Sequence, residues 1–167
     1  AGVAYVWSEC LPPAHLPCTQ LTVSVFAWAI NTAAVAPDAG PKTWQHILDP
    51  MWKGKLAMDG IRGSGPGGSV LSGLGAVYGK EYSTKLAAQN VFFAAQAGPL
   101  LTGLARGEHA IFLSSAHTDV IEQRKAGAPI KQLRPTDGVS ITQIGQILLK
   151  KAPPANAAGR GVEGGRG

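Results

Sequence analysis

The chain has 167 residues, 45% of them hydrophobic and 15% charged, with 22 Gly and 12 Pro. That length can bury roughly two thirds of its unfolded surface in one domain, and the composition is too apolar for a disordered polymer. Fifteen Lys plus Arg against ten Asp plus Glu give a formal net charge of +5, scattered without a basic block, which argues against a nucleic-acid partner; no apolar run approaches the roughly 20 residues of a membrane span.

Residues 1–20 hold Pro12, Pro13 and Pro17 and predict an irregular lead-in. Cys10 and Cys18 fall there, eight apart and in no metal-ligand spacing, so a disulfide and two unrelated thiols both remain open. No signal-peptide pattern is visible, and the chain begins with Ala rather than Met, so that says little about the compartment. LTVSVFAWAI over 21–30 alternates β-branched and aromatic residues and predicts a buried strand.

A proline-containing loop follows, and Thr43 is placed to cap a short helix, Trp44 to Leu48, that stops before Pro50. Residues 51–54 predict a turn and Lys55 to Met58 a strand. Then comes GIRGSGPGGSVLSGLGAVYG: a glycine-rich loop, then Val70, Leu71, Leu74 and Val77 at helical spacing from Ser69 to Tyr78. A third helix is expected over 81–97 with Tyr82, Leu86, Val91 and Phe92 inward, and a fourth from Gly98 to Arg106, closed by Gly107. Ala110 to Leu113 predicts a strand, SSAHTD a loop, Val120 to Lys125 a helix, Ile130 to Leu133 a strand, and Thr142 to Lys150 a last helix with Ile144, Ile147 and Leu148 as its stripe. Residues 159–167 lose all periodicity and are expected to be a disordered tail. Alternating strands and helices point to an α/β lobe with a mainly parallel sheet flanked by helices.

Two stretches carry chemistry. Strand, Gly/Ser loop and helix in series is a geometry that gathers an anion on exposed backbone N–H groups, with Ser64, Gly65 and Arg62 as candidates; a plain flexible surface loop is the alternative that residue chemistry leaves equally open. No G-K-[ST] closes this loop, so it is not a nucleotide-binding P-loop. The other is Ser114-Ser115-Ala116-His117 at the end of a strand, where open α/β sheets place ligands. It suits a ligand-contacting loop; the alternative is an α/β hydrolase-like enzyme using Ser114 or Ser115 with His117, although no GxSxG elbow is present.

The run WAINTAAVAPDAGPKTWQHILDPMWKGKLAMDG, followed by LARGEHAI, KAGAPIKQLRPTDGV and ILLKKAPPANAA, resembles the extracellular solute-binding proteins of bacterial ABC importers, in the branch similar to ferric-iron-binding proteins. Trp44, Leu48, Asp49, Pro50, Trp52, Gly54 and Lys55 match that family's pattern. The resemblance, over roughly 21–158, implies a type II periplasmic-binding-protein-like clamshell: 21–140 as the second lobe with its crossing strands, and 141–158 as a helix returning to an incomplete first lobe. It implies a monomer in the periplasm that captures an anionic or metal-complexed solute and delivers it to a membrane permease, with no cofactor and no catalysis. The solute would meet Arg62, Ser64, Gly65, Ser114, Ser115 and His117. Ferric members place two tyrosines where Ser114 and Ser115 stand, so phenolate ligation cannot come from these positions and Fe(III) becomes a secondary candidate.

Overall fold

A computed structural model describes residues 5–8, 18–36, 38–60 and 66–147. Its strands are β1 (Tyr5–Ser8), β2 (Cys18–Asn31), β3 (Leu56–Asp59), β4 (Phe92–Ala94), β5 (Ile111–Ala116), β6 (Ile130–Leu133) and β7 (Ser140–Ile147). Its helices are α1 (Pro66–Tyr78), α2 (Lys80–Ala87), α3 (Ala97–Arg106) and α4 (His117–Lys125), with two short 3-10 turns, His46–Leu48 and Pro50–Trp52. The seven strands form one sheet in the order β1-β7-β2-β5-β3-β4, with β6 also on β2.

The expected α/β lobe with helices flanking a sheet is present, and the sheet is mixed. It is parallel through β5, β3 and β4 and between β1 and β7, and antiparallel wherever β2 pairs. The fourteen residues of β2 serve two neighbourhoods: Cys18 to Phe26 pair with β7, while Phe26 to Asn31 lie between β5 and β6. β6 and β7 thus follow one another along one edge of β2, with residues 134–139 looping out between them. Pro135 and Gly138, the latter at φ 132°, suit that excursion, because one lacks a ladder donor and the other takes a backbone an L side chain rarely adopts.

The two-residue period of the strands separates two cores. Trp28, Ile30, Leu56, Met58, Ile111 and Leu113 face α1, α2 and the two turns; Ala29, Ala57 and Phe112 face α3 and α4. Trp44 and Trp52 are both buried in the first core, and Trp44 meets Trp28 edge to face with ring centroids 5.0 Å apart. The Trp44 Nε1–H donates to the Gly138 carbonyl at 3.0 Å, its backbone N–H donates to the Asp137 carboxylate at 2.9 Å, and the Tyr82 hydroxyl donates to its carbonyl. Burial raises the Tyr82 phenol far above its usual range, with Tyr78 and Asp137 adding to the effect.

Four local expectations are corrected. Ser114 to Asp119 are not a loop, since β5 runs to Ala116 and α4 begins at His117. Residues 81–97 are not one helix: α2 ends at Ala87, Asn90 turns the chain at φ 54°, and Phe92 to Ala94 pair in parallel with β3, which leaves Phe92 54% exposed rather than in the core. Residues 140–147 form β7 rather than opening a helix, because β2 offers an unpaired edge that SITQIGQI, rich in β-branched residues and carrying Gly145, can fill. Within the lead-in, Tyr5–Ser8 and Cys18 onward are strands. Cys10, Leu148 and the tail 159–167 lie outside the described residues.

Asn31 ties the end of β2 to α3 and to the turn that follows the strand. Its buried side-chain amide donates to the Leu104 carbonyl at 2.7 Å, at the end of α3, and its Oδ1 accepts from the Ala33 N–H at 2.8 Å. Asn31→Ala is expected to cost about 2 kcal/mol, since buried donors and acceptors lose their partners; denaturant titration measures it as a lower midpoint at unchanged slope.

Candidate functional site

The carboxyl ends of β3 and β5 lie together, and each delivers one polar side chain. Asp59 is the last residue of β3 and Ser114 lies in β5; both are buried. The Ser114 hydroxyl donates to the Asp59 carboxyl, and the Asp59 backbone N–H donates back to Ser114 Oγ at 3.3 Å. The Gly67 N–H, in the first turn of α1, also bonds the carboxyl. An internal carboxyl group therefore meets the N-terminus of α1, where helix dipole and orphan N–H groups favour negative charge.

Burial raises the Asp59 carboxyl above its ordinary value, overriding the Ser114 and Gly67 hydrogen bonds that lower it, and Asp119 pushes it further up. Such a group is more easily protonated than a surface aspartate. The approach of α1 is close: a Cβ on Gly67 would stand 1.7 Å from the Asp59 carbonyl oxygen. Only glycine lets the helix start there.

Ser115, the next residue of β5, is fully buried, with its hydroxyl 3.4 Å from the Ala116 carbonyl. His117 opens α4 and is exposed; its Nδ1 pairs with Gln132 Oε1 on β6, and Gln132 Nε2 reaches the Ser115 carbonyl at 3.5 Å. Ser114 is thus joined to Asp59, and His117 to Gln132. The alternative hydrolase dyad is not formed: Ser114 gives its proton to Asp59, Ser115 turns to backbone, and neither hydroxyl is hydrogen-bonded to the imidazole. Arg62, Ser64 and Gly65 lie outside the described residues. No group of three or more His, Cys, Asp or Glu able to hold a metal occurs among the described residues.

Gln132 is the polar group that the sequence reading did not place at the site, whereas Asp59 is delivered there by the strand ahead of the glycine loop without being named a solute contact. Asp59 carried a signal, as a carboxylate ending a strand ahead of a glycine loop. Gln132 carried none, because its meeting with His117 depends on β6 lying beside β2.

The Asp59 carboxyl binds its proton more tightly folded than unfolded, so folding takes up a proton between the two pKa values and stability falls as pH rises from about 4 through that window. Asp59→Asn removes the titration, so the melting-temperature difference, variant minus parent, is expected to grow between about pH 4 and pH 7; a constant difference in calorimetry contradicts it. Gly67→Ala is expected to lose about 1–3 kcal/mol in chemical denaturation, because the start of α1 must move off Asp59.

The model of a family of bacterial extracellular solute-binding proteins matches residues 17–158. Among solved structures, the substrate binding protein of an ABC transporter from Agrobacterium tumefaciens is 16% identical with a TM-score of 0.76, over 99% of this chain and 53% of that one. AfuA from Actinobacillus pleuropneumoniae, a periplasmic binding protein with fructose-6-phosphate bound, is 20% identical with a TM-score of 0.70, over 89% of this chain and 48% of that one. Iron-bound HitA from Pseudomonas aeruginosa is 15% identical with a TM-score of 0.69, over 90% of this chain and 52% of that one. The chain spans about half the length of these structures. At such identities the likeness is one of fold. No curated protein matches.

Proposed function

The chain belongs to the bacterial extracellular solute-binding proteins, and on that premise we propose that it forms one wall of a solute cleft located where β3, β5 and the start of α1 converge. The observation that carries this reading is the meeting of Asp59, Ser114 and the Gly67 N–H at the carboxyl ends of two parallel strands, the position at which open α/β sheets hold ligands. The family consists of binding proteins, so capture rather than turnover is the activity.

The solute we propose bears an oxyanion, a phosphate ester or a carboxylate, or is a metal held as an anionic complex. The net charge of +5 supports this, as does the run of Ser64, Gly65 and Arg62 directly ahead of α1. AfuA binds a phosphorylated sugar and HitA binds iron, so the shared fold accommodates both classes. The iron reading is the weaker, since Ser114 and Ser115 stand where the ferric-iron-binding proteins that the chain resembles place two tyrosines. Ser114, Ser115 and His117 belong to this wall in supporting roles: Ser114 holds Asp59, the Ser115 carbonyl holds Gln132, and His117 presents its imidazole at the exposed start of α4. Asp59 tempers the anion site, and because burial favours its protonated form, bringing a second negative group to α1 is coupled to proton uptake there. Closure on the solute about the crossing strands, periplasmic residence, a monomeric state and hand-over to a permease complete the proposal.

Thermal unfolding with fructose-6-phosphate, inorganic phosphate or Fe(III)-citrate tests it, because a ligand specific for the native state stabilises by about 2.7 kcal/mol at a hundred times its Kd. We expect at least one oxyanion to raise Tm, and Arg62→Ala to weaken that shift about tenfold in apparent affinity. Absence of any shift with the whole panel, or an unchanged shift in the variant, contradicts the assignment.

A further inference from the structure

We propose that a second binding site, for a small organic cation with an apolar body, lies in the cleft between α1 and residues 137–140. The cleft has an empty volume of about 400 Å³ including its open mouth, and its walls are Val70, Leu74 and Val77 of α1 with Trp44 and Val139 opposite. Asp137 also lines it. None of these residues belongs to the Asp59–Ser114 site, and the proposal stands or falls apart from the solute reading.

Asp137 supplies the chemistry. One of its oxygens, Oδ2, accepts from the Tyr78 hydroxyl and from the Trp44 N–H at 2.9 Å. The other, Oδ1, is buried and has no hydrogen-bond partner. No cation is paired with the carboxylate among the described residues, whose ion pairs are Arg106 with Glu108 and Lys125 with Glu122. A buried carboxylate oxygen left without a donor is costly, and an ammonium or guanidinium group is the donor that satisfies both its charge and its lone pairs.

The remaining walls select what carries that charge. An alkyl or aromatic body buries apolar surface against the valines, Leu74 and Trp44. Oδ1 is itself buried beneath the lining, so a guest bonds it only by displacing the side chains around it. Fixed charge on the floor, an apolar collar and an open mouth together describe a site for an alkylamine rather than for an anion or a sugar.

Titration of the whole chain at pH 7 with n-pentylamine and with its neutral isostere n-pentanol, read as melting temperature against concentration, tests the site. The amine is expected to raise Tm with an apparent affinity about tenfold above the alcohol's. Asp137→Asn keeps an acceptor for Trp44 and Tyr78 but removes the charge, and is expected to bring the two probes level. Val77→Trp fills the mouth without touching the Asp137 bonds and is expected to abolish the amine shift, which keeps the test decisive if Asp137→Asn does not fold. No amine shift in the parent, equal affinities for amine and alcohol there, undiminished discrimination in Asp137→Asn, or a retained amine shift in Val77→Trp each overturns the proposal.

Discussion

Everything in this lobe is hung on the backbone pairing of β2. Its first half is bonded to β7 and its second half to β5 and β6, so one uninterrupted strand belongs to two regions of the sheet. The strand along its other edge is broken in two, and the excursion at 134–139 is fastened back onto the lobe. Trp44 binds Asp137 and Gly138, and both the N–H and the hydroxyl of Thr136 donate to the Lys42 carbonyl, at 2.8 and 3.1 Å. A continuous strand and a fastened loop thus hold the two regions of the sheet in one register.

α1 converts that framework into chemistry. Its start is pressed against Asp59 through Gly67, and its end reaches Asp137 through Tyr78. One helix therefore touches a carboxyl group at each end, fully buried at Asp59 and half-buried at Asp137, and the two groups differ in what satisfies them. Asp59 has Ser114 and the Gly67 N–H, whereas Asp137 has its donors on one oxygen alone. The first carboxyl group is satisfied from within the lobe, and the second keeps one oxygen without a donor.

Much of the layout is legible in the sequence. The alternation of LTVSVFAWAI marks β2, Gly107 ends α3 with φ 83°, and the spacing of Val70 and Leu74 turns those residues inward. The tryptophans at 44 and 52, which match the family's pattern, are both buried. Local pattern misled where an edge was waiting: Phe92 to Ala94 and Ser140 to Ile147 could serve a helix by spacing, and each became a strand because a neighbour had hydrogen bonds to offer.

The site divides along the same line. A glycine-rich loop between strand and helix, and serines at the end of a second strand, are properties of neighbouring residues, so the sequence by itself determined where polar groups would gather and that the chain is an α/β lobe. Which of those groups touch was decided by tertiary structure alone. Ser114 meets Asp59 across 55 positions, His117 meets Gln132 rather than a serine, and Asp137 lies under Trp44 across 93. Sheet register and helix docking choose among partners that distant in the chain, and those depend on the packing of the whole core at once.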